Sequence, residues 1–302
     1  MVEPWILFTI FAAFCQNFRS ALQKHLKSKL STAGAAYVRF VYALPFSVLY
    51  CWALTKFGGY ALPVPNAKFL IYCFLGGLAQ ILFTVFLVWM FSFRNFAVGT
   101  TFSKTETVQV AILGLVLLGD TLSLGATVAI AVSFLGVMAL SVSETRISVK
   151  TIFTSLGEKP TLIGLASGFF LGASVVLYRG ATLSIPEHGF LMRAGFALTV
   201  AVVMQTILMG LFLRWREPGQ LTAVFVNWRW AAPVGVAGML ASVGWFSAFA
   251  VENAAYVRAL GQIELVFTFV ASILFFKEKT KPIELAGIAM IVAGILLLLL
   301  AR

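Results

Sequence analysis

Unbroken apolar runs about twenty residues long recur from one end of this chain to the other, and they leave it few ways to fold. A run of that length crosses a hydrocarbon core about 30 Å thick as a helix, whereas a membrane-barrel strand would alternate apolar and polar residues over about ten. Of the 302 residues, 61% are hydrophobic and only 11% charged, against about half and about a quarter in soluble domains. The runs cover residues 5–23, 32–55, 67–91, 95–118, 122–142, 161–179, 188–213, 229–250, 254–276 and 281–301. The pattern predicts an all-α integral membrane protein with ten transmembrane helices, its first partner the lipid bilayer. The start, Met1-Val-Glu-Pro-Trp, lacks a basic region and a small-residue cleavage site, so the first run is expected to stay as a helix. Cys15, Cys51 and Cys73 fall inside apolar runs and read as small buried hydrophobes, with no disulfide framework implied.

The longest connection, Ser143 to Pro160, is polar and central. It divides the chain into two five-helix halves, 1–150 and 151–302. Because five is odd, similar halves must enter the membrane from opposite sides, which makes an inverted repeat. A shift of 158 residues lays Asn95–Leu140 over Asn253–Leu298 with eight identities in forty-six, among them Asn95 on Asn253, Glu106 on Glu264, Val108 on Val266 and Gly136 on Gly294. Arg39 in AAYVRF and Arg193 in GFLMRAGF take the same place in each half.

Charges inside such runs carry the functional signal, because an ionisable group at mid-membrane is expensive and must find a partner or a purpose. Glu106 and Glu264 stand near the middle of their spans, about 16 Å from either end at helical rise. Lys104 and Glu106, two residues apart, point about 200° from each other, so they cannot pair along one helix. Arg258 and Gln262 share one face of the second copy, with Gly261 and Glu264 on another. The two glutamates then act either as helix glue, neutralised by Arg19, Arg39, Arg193 or Arg258, or as groups that titrate during a functional cycle.

In the first span Gln16, Arg19 and Gln23 form an inward stripe, although Arg19 and Gln23 could also snorkel to the surface. Arg39 and Arg193 read as scaffold or gate. Five intramembrane cations against two carboxylates leave three positive charges over, which favours an anionic or zwitterionic small-molecule substrate. Tyr72 with Gln80, Tyr178 and Trp245 are candidate lining residues, each equally readable as packing. Gly164, Gly168 and Gly172, like Gly76-Gly77, mark close helix contacts, and Pro45 and Pro233 mark expected kinks. Trp5, Trp228 and Trp230 suit the interfacial belt.

Ten helices in two halves, the end-of-helix tags LLGD (Leu117 to Asp120) and FFKE (Phe275 to Glu278), and the final helices ending SFLGVMAL and IVAGILLL resemble the EamA branch of the drug/metabolite transporter superfamily. The resemblance covers nearly the whole chain. It implies a transporter, not an enzyme, for amino acids, other small metabolites or drugs. Many relatives carry Glu-Pro in the fourth and ninth helices where this chain has Glu106-Thr107 and Glu264-Leu265.

The chain has no GxxxxGK[ST], HExxH or CxxC pattern, and its two histidines, His25 and His188, lie far apart, which argues against an ATP-driven pump or a metalloprotease and implies no cofactor. The net charge of +11 belongs to loops facing anionic lipid, not to nucleic-acid binding. The expected function is secondary transport of a small amino-acid-like metabolite by alternating access around a central cavity between the halves, with a coupling proton or an exchange substrate, in a bacterial inner membrane. A lipid or lipid-linked headgroup translocator is the alternative; a non-transporting intramembrane enzyme is the alternative of another class. The resemblance implies that both termini are cytoplasmic. Loop charge predicts the reverse, with thirteen basic residues in the connections after odd-numbered helices and four on the opposite side, Lys56, Lys68, Arg179 and Arg302.

Overall fold

The structure is a computed structural model that describes residues 3–26, 29–90, 96–145, 154, 157–276 and 281–301. Asn95, most of the central linker and the Lys277-Glu278 tag lie outside the described residues, as do the side chains of Gln23, Lys24, His25 and Thr100.

Among the described residues the chain folds into helices, α1 (Pro4–Leu26), α2 (Thr32–Val41), α3 (Leu44–Lys56), α4 (Ala67–Met90), α5 (Phe96–Ser103), α6 (Glu106–Leu118) and α7 (Leu124–Thr145) before the linker. After it come α8 (Lys159–Leu183), α9 (Phe190–Arg216), α10 (Gln220–Val226), α11 (Trp228–Val251), α12 (Ala254–Gly261), α13 (Ile263–Phe276) and α14 (Pro282–Ala301). Eight helical stretches are long and apolar enough to cross a membrane; α1 and the α12–α13 pair, also among the predicted spans, are not among the eight. The protein is an integral membrane protein.

Three predicted spans are broken near their middles. Proline explains the first: Pro45 has no N–H to bond the Val41 carbonyl, and its ring crowds that carbonyl, so α2 stops at Val41 and α3 restarts at Leu44. The other two breaks contain no proline. At Lys104-Thr105 the ladder tightens to three-residue spacing, Lys104 N–H donating to Thr101 O at 3.2 Å and Thr105 N–H to Phe102 O at 3.1 Å, while the Thr105 hydroxyl donates to that same carbonyl at 2.7 Å. At Gln262 the N–H donates to Ala259 O at 3.2 Å, and Leu265 N–H donates to Gln262 O at 2.9 Å. The breaks stand 158 residues apart, the offset that relates the two copies. Pro233, by contrast, breaks nothing: α11 runs through it without interruption. Gly119 ends α6 in the left-handed region at φ 72°, its N–H and that of Asp120 closing on the carbonyls of Leu115 and Gly114.

Contacts divide the chain into two compact units, each drawing on both sides of the linker. The first, residues 1–78 with 177–252, is cored by Phe69, Cys73, Tyr178, Leu198, Met239 and Phe246. In it α1 lies along α11, a Cβ at Gly244 falling 2.7 Å from the Phe8 carbonyl. Trp5 is 2% exposed, its indole N–H donating to Glu3 at 2.7 Å, so its ring is packed against the protein and not turned out to lipid. The second unit, residues 79–176 with 253–302, is built on α7 against α14, where Gly136 receives the backbone of Gly287 and Gly294 that of Ser133. Glycine allows such contact because in lipid the attraction between helices comes mostly from close packing.

Candidate functional site

In the second unit the break between α5 and α6 makes Glu106 the first residue of α6. Glu106 is 5% exposed, Arg258 in the last turn of α12 is 7% exposed, and the two form a buried ion pair. The other Glu106 oxygen, Oε2, is buried without a hydrogen bond. Glu264, half-buried in the first turn of α13, adds a second favourable charge interaction with Arg258. Beside them the Gln262 amide donates to the Thr107 hydroxyl at 2.9 Å and to the Arg258 carbonyl at 3.4 Å, occupying an acceptor that the end of α12 would otherwise leave open. Gln109 donates to Thr105 Oγ1 at 2.8 Å.

The geometry matches the helix dipole twice. Each break sets a carboxylate at the positive start of a half-helix, Glu106 or Glu264, and a cation at or just past the negative end of the preceding one, Arg258 or Lys104. Helix α8 receives the first break on its glycine stripe: Gly164 meets the Gly99 backbone, Gly168 the Ser103 carbonyl and Glu106 N–H, and Gly172 the Val110 side chain.

In the first unit Gln16 and Arg19 both face α11. The Trp245 indole donates to Gln16 at 3.0 Å, and the stem of Arg19 lies across Gly238, as does Arg39 from α2. Arg39 is also in electrostatic reach of Tyr178 and stands 5.0 Å from the Phe40 ring. Tyr178 and Tyr72 pack reciprocally, the first over Gly76 of α4 and the second over Gly180 of α8. Half-buried Arg193 donates to the Ala250 carbonyl at 3.3 Å, beside Arg179, which donates to Phe249 O at 2.9 Å and to Glu252 O. Two guanidiniums thus close the carbonyl end of α11.

The residues singled out from sequence fall into two groups. Gln16, Arg19, Arg39, Tyr72, Tyr178, Arg193 and Trp245 belong to the first unit; Gln80, Lys104, Glu106, Arg258, Gln262 and Glu264 belong to the second. Neither Arg39 nor Lys104 takes part in an ion pair among the described residues. No group of three His, Cys, Asp or Glu side chains among those residues could hold a metal ion.

The EamA-like transporter family matches residues 3–142 and again residues 158–300. The chain belongs to that family. It is thus a member of a transporter family in the drug/metabolite transporter superfamily. No curated protein matches this EamA-like chain. Of 28 matching chains of known structure, one described simply as a crystal structure of a protein gives a TM-score of 0.71 at 14% identity, covering 99% of the EamA-like chain and 98% of its own. At that identity the likeness is one of fold.

Four polar residues of this EamA-like protein carry contacts that the sequence did not assign to them. Thr107 takes the Gln262 hydrogen bond. Gln109 packs its amide against α8, toward the Leu165 carbonyl at 3.5 Å. Gln205, 2% exposed, donates to Tyr178 Oη at 3.1 Å and to the Gly77 carbonyl at 3.5 Å. A lone glutamine amid the apolar run AVVMQTILMG was the available signal. Arg179, the last residue of its predicted span and counted there with the loop charges, instead sits well inside α8 with its head on the carbonyls of α11.

Proposed function

We propose that this protein is a secondary transporter that moves a small anionic or zwitterionic, amino-acid-like metabolite across a bacterial inner membrane by alternating access, and that it catalyses no covalent chemistry. Ten membrane helices in two inverted five-helix repeats, 1–150 and 151–302, are part of the same reading. The observation that carries it is the helix break that recurs 158 residues apart, each time beside a carboxylate, Glu106 or Glu264, within a predicted span. Broken helices whose half-ends face a polar site are how carriers present dipoles and backbone groups to cargo within the bilayer. Half-buried Arg39 and Lys104, outside any ion pair among the described residues, favour cargo with a carboxylate or phosphate.

Within this reading Arg258 serves two carboxylates. Glu106 holds it in the resting pair, and the more accessible Glu264 takes the coupling proton. The test is counterflow in proteoliposomes, using a metabolite first found by its thermal stabilisation of the protein in detergent. Accumulation of labelled compound against an unlabelled internal pool is expected; lipid reorientation without soluble flux would sink the proposal in favour of a lipid translocator, and product formation in detergent would sink it in favour of an enzyme. Glu264→Gln is expected to abolish uptake driven by a pH gradient while leaving exchange measurable. Full pH coupling in that variant removes Glu264 from the coupling role.

The loop charges set orientation. With Arg179 engaged inside α8, thirteen basic residues stand against three, which predicts both termini on the side away from the cytoplasm. A reporter pair after Arg302, one fluorescent only in the cytoplasm and one active only outside it, should give the outside signal. A bright cytoplasmic signal rejects the reversed topology.

A further inference from the structure

A groove of about 660 Å³ opens on the outer face of α1 and α11, lined by Phe11, Phe14 and Phe18 from one helix and by Trp228, Arg229 and Pro233 among others from the other. The walls are apolar apart from Arg229, and none of the candidate site residues described above lines them. The three phenylalanines are exposed, at 44%, 61% and 57%, as side chains meant for contact with something outside the fold.

The two helices run in opposite directions, since Phe8 meets Gly244 at one end while Lys29, just past α1, lies 5.3 Å from the Trp230 ring at the other. The groove therefore has a polar end, where Trp228, Arg229, Trp230 and Lys29 gather, and an apolar end near Phe11 and Leu240. From Trp228 to Leu240 the helix rises about 18 Å, close to the roughly 15 Å depth of one leaflet's hydrocarbon. Tryptophan and basic side chains at one end are what headgroup depth selects.

We propose that this groove holds one resident anionic phospholipid, its acyl chain against the phenylalanines and its phosphate at Arg229. A lipid fits better than a second copy of the chain. In a two-fold membrane dimer the axis is normal to the bilayer, so the same groove ends would meet and Arg229 would face its own image. An anion at that end relieves the positive charge instead. The lipid is a fixture of the fold and not cargo, because the groove is lined by neither the break residues nor the half-buried cations.

Native mass spectrometry of the full chain in detergent, with phosphatidylglycerol or phosphatidylcholine of identical acyl chains, tests this. A one-to-one phosphatidylglycerol adduct is expected, about fivefold tighter than the phosphatidylcholine adduct, which is the attraction one basic side chain supplies at a headgroup surface. Arg229→Gln, at an exposed position, should erase that preference, and Arg229→Lys should keep most of it. Phe18→Ala should weaken both lipids alike, through lost packing. Equal binding of the two lipids by the wild type, or an unchanged preference in Arg229→Gln, overturns the proposal. So does a dimer that forms in place of the lipid adduct, since it would put a second copy on this face.

Discussion

Replacing Glu106 with alanine is expected to destabilise the folded protein by about 3–5 kcal/mol, the cost of leaving a buried guanidinium without its counter-charge. Arg258 is 7% exposed and ion-paired with Glu106, so water cannot take over the role of the lost carboxylate. Glu264 interacts with the same guanidinium but is held on another half-helix, at the start of α13. Arg258→Ala should cost a similar amount, because it strands a carboxylate whose Oε2 already lacks a hydrogen bond. The double variant should be clearly more stable than the two single losses added together, since it leaves neither member of the buried pair facing an empty place where its counter-charge stood. Thermal unfolding of the four proteins in detergent measures this. Additive losses would mean that the pair does not hold α6 and α12 together.

Gly164→Ala should be the most damaging single methyl group in the second unit, destabilising by about 1–3 kcal/mol or more through overpacking. A Cβ there would run into the carbonyl and Cα of Gly99, backbone against backbone, and neither helix has a side chain that could turn aside. Gly172, two turns along the same stripe, makes the control. Its nearest neighbour is a methyl of Val110, 3.1 Å from the added Cβ, and a side chain can give way by a few tenths of an ångström. The expected order is therefore a large loss of monodisperse protein for Gly164→Ala and a small one for Gly172→Ala. Equal behaviour of the two variants in size-exclusion chromatography would show that α8 does not seat α5 as closely as the structure has it.

The apolar runs determined the helices, because a hydrocarbon solvent tolerates no other way of satisfying so much backbone except a closed barrel, and the runs are too long for barrel strands. The shift of 158 residues was equally legible, since identical residues at one offset are a property of the string itself. Pro45 announced the first break for the same local reason. Glu106 and Glu264 also stood out unaided, as charges where charge is costly.

Which cation would answer them was not legible. Four arginines were open to Glu106, and only the packing of α12 against α6 selected Arg258, a residue 152 positions away. The two prolineless breaks were likewise a tertiary matter: Thr105 and Gln262 have ordinary helix propensity, and what holds the chain open at Lys104-Thr105 is the Thr105 hydroxyl on its own backbone together with α8 lying on the break through Gly168. Arg193, read as the symmetric partner of Arg39, ended on the carbonyls of α11 with Arg179, while Arg39 lay beside Arg19 at Gly238. A position within a repeat says how deep a side chain starts. Its neighbours depend on helices that the sequence places hundreds of residues or only a few residues away with equal ease, and only the folded chain decides between them.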